Sequence, residues 1–408
     1  MMDSLKVKEI GGVDSNATLK LYMSQKVLYN ELGNQINHIG DSFIFQQIKE
    51  VVEENYDLGK LIEAFEIFGG YTSRAFRIVL EKNGSKKDWF FRKYMKIKPE
   101  AEVLFEHRLL THARKRGFKR TAVPVATKEG KTYFSMEQGE GDFRRRHYFA
   151  IYDYFHGEYT YDWVYNEMPR ATYIDAAEMF AELHCAVADF DTQGLNGEEP
   201  PIMEFVREFP DKWSFYIDEY NKAGAKNIFT DYFSDQFDYL LKIMEDIKID
   251  RGDLSKFCFI PIHCDLHPGN IIFSGDKCLG VFDFEAAKID MRLFDICLGA
   301  ANFFASWKPG FEGHINIDKT REFFRAYNSK LKSLDGPIQP IARPEAKYFR
   351  EGLQLTNMYM IQWCARVYHS NMEENPYEFF FYLHHIIGCI RWVEENRADV
   401  EKLVDIKY

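Results

Sequence analysis

The feature that most constrains this chain is a set of polar residues at fixed spacing between positions 263 and 285. Residues 263–270 follow the pattern H-x-D-x-x-x-x-N, and residues 283–285 read Asp-Phe-Glu. Phosphoryl transfer from ATP needs one carboxylate that accepts the proton of the attacking hydroxyl, and two further groups that hold magnesium against the phosphates. The pattern supplies these groups in the order found in kinase catalytic loops. It therefore predicts a phosphoryl-transfer site.

Each polar residue of this pattern has a candidate role. Asp265 is the candidate general base. Asn270 and Asp283 are the candidate magnesium ligands, because magnesium prefers hard oxygen ligands and usually takes only one or two carboxylates beside phosphate and water. His263 is better suited to bracing the loop by hydrogen bonding than to chemistry. A structural role is favoured still more for His267, which is a loop histidine followed by proline.

A β-hairpin is predicted directly after this loop, because two short apolar runs flank a Ser-Gly-Asp-Lys turn. If Phe273 pairs with Cys278, then Asn270 lies across from Val281. Asp283 is then diagonally opposite Asn270, roughly 7–8 Å away between backbones, so both side chains could meet on one ion.

The preceding part of the chain predicts a small α+β lobe. Alternating apolar residues favour strands in three places: 61–68, 75–80 and 89–94. A helix should begin at Pro99 and end near Gly117. Further strands are predicted in three places: 122–127, 131–136 and 149–154.

The connection between the first two predicted strands could bind a nucleotide. It contains Gly69, Gly70, Thr72 and Ser73. Glycines allow backbone N–H groups to approach phosphate oxygens closely. A Gly-Gly turn also occurs without any ligand, so this loop predicts a phosphate contact only together with the other motifs.

A phosphate cation is expected on the third strand. Arg92 and Lys93 point to opposite faces of a strand, so only one of them can face the nucleotide, and the sequence leaves the choice open. Glu106 falls on the apolar face of the following helix. It should pair with that cation, because an unpaired buried charge is costly.

The rest of the chain is predicted to be mainly helical, with helices near 171–190, 202–222, 228–247, 318–332, 345–369 and 376–403. The predicted fold class is α+β and bilobal, with a small β-rich N-lobe and a larger, mostly helical C-lobe. Three parts are expected: a helical N-terminal extension at 1–57, a nucleotide-binding lobe at 58–155, and a helical lobe at 156–408 with the catalytic loop and the acceptor site. Phe45, Ile48, Val51 and Val52 recur at helical spacing within the extension.

The chain resembles the aminoglycoside phosphotransferase and choline kinase-like family, whose members have a protein-kinase-like fold. The matching segments are the Gly69-Gly70 loop and residues 181–184, 263–273, 281–285 and 293–296. The resemblance implies an ATP- and magnesium-dependent kinase acting on a hydroxyl of a small molecule. It also implies that residues 150–155 form the hinge beside adenine, with Asp153 and Phe155 as contacts, and that Asp295 stabilises the catalytic loop.

The acceptor should bind beside Asp265, and the candidate contacts are Glu285, Asp290, Arg292 and Trp163. Aminoglycosides or other amino sugars, amino alcohols, homoserine and methylthioribose all remain possible acceptors. A nucleotide-binding pseudokinase that works by association is an alternative of another class. A kinase acting on protein is a third possibility, which Glu285 disfavours because protein kinases carry glycine at this position.

Composition excludes other classes of function. The net charge of −11 argues against nucleic acid as a partner, because phosphate backbones are bound by clustered Lys and Arg. No segment approaches eighteen uninterrupted apolar residues, and the N-terminus lacks the apolar run of a secretory signal. Seven cysteines without a C-x-x-C pair fit a reducing compartment. We therefore expect a cytoplasmic monomer or homodimer without a membrane partner.

Overall fold

An antiparallel sheet forms the first lobe of the computed structural model, which describes residues 39–40, 43–67, 73–94, 98–138, 145–370 and 375–405. Its strands are β1 (Lys60–Ile67), β2 (Ser73–Lys82), β3 (Ser85–Tyr94), β4 (Phe134–Gln138) and β5 (Arg145–Asp153). Their order in the sheet is β1-β2-β3-β5-β4. Asn83 and Gly84 connect β2 to β3 with φ angles of 54° and 78°. Asn-Gly readily adopts this left-handed turn between two antiparallel strands.

The strand predicted at 122–127 does not form. Pro124 makes only an isolated bridge to Tyr152, and the Val125 N–H donates to the Ile151 carbonyl at 2.7 Å. Proline has no N–H and cannot continue a ladder of hydrogen bonds. The segment therefore follows β5 as irregular chain.

Two helices cover opposite faces of the sheet, and this arrangement decides which side chains reach the cleft. On one face, α1 (Phe43–Asn55) buries the four apolar residues whose spacing predicted it. On the other face lies α2 (Glu100–Lys115), which begins after Pro99. Gly117 follows α2 with a φ of 95°, as expected of a residue that ends a helix. Residues 1–38 of the predicted extension lie outside the described residues.

The second lobe is mostly helical. Its longer helices are α3 (Arg170–Val187), α4 (Phe209–Ala223), α5 (Ile228–Asp246), α6 (Arg292–Phe304), α7 (Ile317–Leu334), α8 (Phe349–Ser370) and α9 (Pro376–Glu395). Short helical segments lie between or after them: Ile202–Phe205, Val206–Glu208, Arg251–Leu254, Arg343–Ala346, Arg397–Glu401 and Lys402–Asp405. The helix predicted at 202–222 is thus divided into three pieces, the last of which begins with proline in its first turn. Among the described helices, none has the length and apolar character needed to cross a membrane.

Two short ladders frame the loop at 263–270. Before the loop, β6 (Phe259–Ile262) pairs with β9 (Lys288–Met291), and after it β7 (Ile271–Ser274) pairs with β8 (Lys277–Val281). The predicted pairing of Phe273 with Cys278 is confirmed. The predicted position of Asn270 across from Val281 is wrong, because a bulge shifts the register so that Ile271 faces Val281. Asn270 therefore lies across from Phe282, at the open end of the hairpin, and not across from Val281.

Candidate active site

Asp295, in the first turn of α6, holds the start of the loop that follows β6. Its buried carboxylate accepts hydrogen bonds from the His263 N–H at 3.0 Å and the Cys264 N–H at 2.8 Å. His184 Nε2 lies 2.9 Å from the same carboxylate, and His184 Nδ1 lies 2.8 Å from the Tyr327 hydroxyl. Because these partners belong to α3, α6 and α7, three helices fix the main chain of the loop.

His263 lies beneath the loop and joins it to the end of β8. Its Nδ1 accepts a hydrogen bond from the Asp265 N–H at 3.2 Å. This contact assigns the proton to Nε2, which donates to the Phe282 carbonyl at 2.7 Å. The imidazole is fully buried. These contacts suit the bracing role that the sequence predicted for His263.

Asp265 presents a half-exposed carboxylate at the open side of the loop. Asn270 Nδ2 donates to its Oδ2 at 2.8 Å, and His267 Nε2 lies 3.7 Å from the same oxygen. Burial raises the pKa of Asp265, but attraction to His267 and these hydrogen bonds outweigh it and hold the pKa below the usual value. Asp265 is therefore ionised at neutral pH, as a proton acceptor must be.

His267 also shapes the loop behind Asp265. Its Nδ1 accepts a hydrogen bond from the Gly269 N–H at 3.1 Å, and so caps the one-turn 3₁₀ helix Pro268–Asn270. The same turn brings Asn270 back toward Asp265, where Nδ2 also donates to the Asp265 carbonyl at 2.8 Å. The contacts of His267 fit the structural role favoured by the sequence.

Asp283 lies at the far end of the hairpin, in a left-handed conformation with φ 62° and ψ 65°. Its Oδ1 accepts a hydrogen bond from Arg92 Nη2 at 2.9 Å. The side chain remains 40% exposed. The Phe282 N–H, one residue earlier, donates to the Asn270 carbonyl at 2.9 Å. The hairpin therefore brings the two candidate magnesium ligands to the same end of β7 and β8.

Arg92 is the cation that faces the cleft between the lobes. Its Nη1 donates to Glu106 Oε1 at 2.9 Å, its Nε donates to Ser73 Oγ at 3.1 Å, and its guanidinium lies 4.6 Å from the ring centre of Tyr94. Burial opposes its charge, but Glu106, Asp283 and Glu285 outweigh this effect and raise the pKa of Arg92 well above its ordinary value. Arg92 therefore remains a cation in its buried position.

Lys93 lies on the other face of β3, toward α1. Its Nζ donates to Gln47 Oε1 at 3.3 Å and to Gln138 Oε1 at 3.0 Å. Burial and the nearby charge of Arg74 lower its pKa. Of the two basic residues of β3, only Arg92 contacts Glu106.

Glu285 contacts the β-rich lobe across the cleft. Its Oε2 accepts hydrogen bonds from Arg92 and, at 3.2 Å, from Ser73 Oγ, while its Oε1 lies 3.0 Å from Lys98 Nζ. These partners all come from the β-rich lobe, and the predicted contact of Glu285 with an acceptor stays a prediction. Sequence reasoning missed Lys98, and its only sequence signal is a position just before Pro99, which starts α2.

Two other predicted acceptor contacts are enclosed. Asp290 is 1% exposed, and its carboxylate accepts hydrogen bonds from two main-chain N–H groups. Arg292 is 3% exposed and donates to Glu345 at 2.9 Å. Both charges have partners inside the protein, and contact of these two residues with an acceptor stays a prediction.

Trp163 does lie beside the catalytic loop. Its ring centre is 6.5 Å from that of His267, 4.3 Å from Tyr382, 6.1 Å from Trp363 and 5.7 Å from Trp307. We call Trp163, Trp307, Trp363 and Tyr382 the aromatic wall. Trp163 and Trp363 are only half-buried, so part of this wall is accessible next to Asp265.

A second, mostly apolar cleft lies at the connection between the lobes. Its lining residues are Phe90, Asp153, Tyr154, Phe155, Tyr159, Ile272 and Phe282. The Phe155 and Phe282 rings meet edge to face with centres 5.3 Å apart. Asp153 and Phe155, the two predicted contacts of the hinge, thus line the same cleft. Gly69, Gly70 and Thr72 of the predicted phosphate loop lie outside the described residues.

The fold and the site together define a kinase-like phosphotransferase: a β-rich lobe with a buried Arg92–Glu106 pair faces a helical lobe with an Asp265, Asn270 and Asp283 set. A family model described as "Phosphotransferase enzyme family" matches residues 64–327. The chain therefore belongs to this family. This finding confirms the resemblance seen in the sequence and the prediction of a phosphotransferase.

Solved structures show the same fold at low sequence identity. The microcompartment-associated aminopropanol kinase aligns with a TM-score of 0.58 and 10% identity, covering 88% of this chain and 99% of that one. The spectinomycin phosphotransferase APH(9)-Ia, solved with ADP and spectinomycin, aligns with a TM-score of 0.57 and 13% identity, covering 86% and 98%. These similarities confirm the predicted bilobal α+β, protein-kinase-like fold.

Curated relatives carry the name homoserine kinase. The relative from Methylocella silvestris is 41% identical over 88 residues, which are 21% of this chain and 23% of that protein. The relative from Afipia carboxidovorans is 26% identical over 296 residues, which are 71% of this chain and 74% of that protein. The match to the first relative thus spans less than a quarter of its length.

Proposed function

We propose that the protein transfers the γ-phosphoryl group of ATP to a hydroxyl of a small molecule that carries an amine. The observation that carries this proposal is the arrangement of Asp265, Asn270 and Asp283 around one loop and one hairpin. Asp265 is ionised, half-exposed and held in place by Asn270. A carboxylate in this state is suited to accept the proton of an attacking hydroxyl.

The candidate ligand set suits magnesium. Within the described ranges, no group of three or more His, Cys, Asp and Glu residues could hold a metal. Magnesium in phosphoryl-transfer sites usually has one or two protein ligands and takes its remaining ligands from phosphate and water, so Asn270 and Asp283 fit this demand. When bound, magnesium would neutralise charge on the phosphates.

The other roles in the proposed reaction belong to residues of the protein. Asp265 takes the hydroxyl proton as the acceptor oxygen bonds to the γ-phosphorus and the bond from that phosphorus to the bridging oxygen of ADP breaks. Arg92 offers positive charge to the phosphates. Phe155 and Phe282 would flank adenine in the cleft between the lobes. In this proposal, residues 58–155 supply most of the nucleotide site, and residues 156–408 supply the catalytic loop and the acceptor site.

The aromatic wall favours an acceptor with an amine. Faces of Trp and Tyr attract cations. Trp163 lies partly exposed beside His267 of the loop that bears Asp265, and Trp363 lies partly exposed beside Trp163. Amino alcohols and aminoglycosides fit this surface, and the named activities of the aminopropanol kinase and the spectinomycin phosphotransferase support them. Homoserine is the second candidate, because the curated relatives bear the name homoserine kinase.

Release of ADP from ATP tests the proposal. The wild-type protein should respond to at least one acceptor in a panel of amino alcohols, aminoglycosides, homoserine and methylthioribose. Asp265→Ala should lower kcat by about 10²–10⁴-fold, because it removes the general base. Asp276→Ala is a matched control, since Asp276 lies exposed in the turn between β7 and β8, and it should retain the wild-type rate.

Each alternative predicts another result. A pseudokinase would bind nucleotide, yet no acceptor would stimulate ADP release. A protein kinase would respond to a protein acceptor and to none of the small molecules. Equal rates for the wild type and Asp265→Ala would refute the role of Asp265 as base.

The cytoplasmic location stays a prediction. It is supported by the seven cysteines, none of which forms a disulfide.

A further inference from the structure

Two cations share the carboxylate of Glu285. Arg92 donates to Oε2, and Lys98 Nζ lies 3.0 Å from Oε1. The Lys98 side chain is only 3% exposed, and its Nζ also lies 3.4 Å from Glu198 and 3.7 Å from Glu102. Lys98 follows β3 in the first lobe, whereas Glu198 and Glu285 belong to the second lobe. The ion pairs of Lys98 therefore cross the cleft beside the site.

The surroundings of Arg92 show why this second cation matters. Arg92 contacts three carboxylates: Glu106, Asp283 and Glu285. In the proposed reaction Asp283 would turn to magnesium, which leaves Arg92 between Glu106 and Glu285. A guanidinium held between two buried carboxylates attracts phosphate weakly, because their negative charge offsets its own at short distance.

We propose that Lys98 is a positioning residue for the nucleotide: it neutralises Glu285 and thereby leaves the charge of Arg92 available to the phosphates. This inference rests on the proposed function, in which Arg92 is the cation that binds the phosphates. It adds that Arg92 needs Lys98 nearby to do so. Lys98 acts through Glu285 and Arg92, and touches none of the reacting atoms.

The first test is Lys98→Met, which removes the charge and retains most of the buried stem. KM for ATP should rise about tenfold, equivalent to about 1.4 kcal/mol, because Glu285 then competes with the phosphates for Arg92. The value of kcat should change much less than KM. Lys98→Arg keeps the positive charge and should retain a KM near that of the wild type.

The double variant Lys98→Met/Glu285→Gln separates this role from simple packing. It removes the carboxylate that Lys98 neutralises, so KM should return most of the way to the wild-type value. If Lys98 served only to pack the cleft, the second substitution would leave KM high or raise it further. That outcome would overturn the inference.

Arg350→Met provides a matched control. Arg350 is also a buried cation with a carboxylate partner, Glu394 at 2.8 Å, but it lies on α8 and does not contact Arg92, Glu285 or Lys98. Its loss should lower stability and leave KM for ATP unchanged. An equal rise in KM for Arg350→Met and Lys98→Met would also refute a specific role of Lys98.

Binding of Mg-ADP, followed by calorimetry, distinguishes failure of the inference from failure of the proposed function. The measurement needs no acceptor, so a protein that binds Mg-ADP without turning over still tests Lys98. If Lys98→Met does not fold, Glu285→Gln alone decides the question. It should bind Mg-ADP at least as tightly as the wild type, and a tenfold loss of affinity would overturn the inference.

Discussion

Single residues in this protein show how burial controls charge, and two histidines do so most clearly. Burial lowers the pKa of His107 and of His385 to about 3. The His107 ring lies among hydroxyl groups, including those of Tyr152 at 2.8 Å and Thr132 at 2.9 Å. The His385 ring stacks on Trp307 with centres 3.4 Å apart. Both rings are therefore neutral in the folded protein at every pH near neutrality.

His385→Phe should weaken the dependence of stability on pH. An unfolded histidine has a pKa of about 6.5, so the unfolded state binds a proton at this residue below that pH. His385 in the folded protein binds a proton only near pH 3, because burial lowers its pKa. This contribution to stability is complete above pH 6.5 and is lost as the pH falls. Between pH 6 and 4, urea unfolding of the wild type should lose about 1.4 kcal/mol per pH unit more than the variant. Parallel pH profiles would contradict this prediction.

The choice between Arg92 and Lys93 illustrates what the sequence left open at the residue scale. Strand alternation predicts that the two side chains face opposite sides, but it does not reveal which helix covers which side. That choice depends on α1 and α2, which pack on the two faces of the sheet. Lys98 was missed for a related reason, since its partners Glu198 and Glu285 are distant in sequence.

At the scale of elements, the β7–β8 hairpin joins the candidate metal site to the cleft between the lobes. Gly280 of β8 lies against two rings of that cleft. A Cβ atom at this position would lie 3.0 Å from the Phe282 ring and 3.3 Å from the Phe155 ring. These contacts are tight, so both rings would have to move.

Gly280→Ala should therefore raise KM for ATP severalfold with a smaller effect on kcat, because displaced rings narrow the proposed adenine site. Steady-state kinetics at varied ATP concentration measures this effect. Gly299→Ala on α6 is a suitable control, since its Cβ would meet its nearest neighbours at 3.8 Å, an ordinary contact distance. An unchanged KM in Gly280→Ala would place adenine elsewhere.

The same hairpin shows how far element prediction reaches. Its turn residues and apolar runs predicted the pairing of Phe273 with Cys278, because a short turn fixes the register next to it. The bulge was not predicted, because β7 and β8 are too short for the change of phase caused by one additional residue to be recognised in the sequence. Pro124 does argue from the sequence against the strand predicted at 122–127, because proline lacks the N–H that a strand needs for its hydrogen bonds.

On the scale of the whole molecule, three sets of contacts join the lobes at the site. Arg92 bonds to Asp283, and Lys98 contacts both Glu198 and Glu285. The Val281 N–H of the hairpin also donates to the Arg120 carbonyl of the first lobe at 2.9 Å. A nucleotide placed between the lobes would contact both of them.

Mg-ADP should therefore stabilise the whole protein against unfolding. A ligand that binds only the native state adds about 2.7 kcal/mol at one hundred times its Kd. Asp283→Asn keeps the shape of the side chain but weakens its hold on magnesium, so its stabilisation by ADP should be less sensitive to EDTA than that of the wild type. Thermal unfolding with ADP, with and without magnesium, measures both effects. Equal magnesium dependence in the two proteins would exclude Asp283 as a ligand.

The overall architecture was predictable because the apolar period changes from two to about 3.6 near residue 157, where the sheet gives way to helices. The acceptor wall was less predictable. Arg292 and Trp163 were both predicted as acceptor contacts, but the Arg292 side chain is enclosed by Glu345 and that of Trp163 remains partly open. The sequence does not distinguish a side chain that lines a pocket from one that is enclosed in the core, because the same residue types occur in both places.

The left-handed conformations of Cys264 and Asp283, both with φ of 62°, have a consequence for protein engineering. Backbone strain of this kind costs about 1–2 kcal/mol for most residues with a side chain and less for Asp, whereas glycine adopts it freely. A screen for thermal tolerance alone would consequently favour glycine at Asp283 and select against the carboxylate proposed to hold the metal. Heat resistance and turnover are therefore expected to compete at this position.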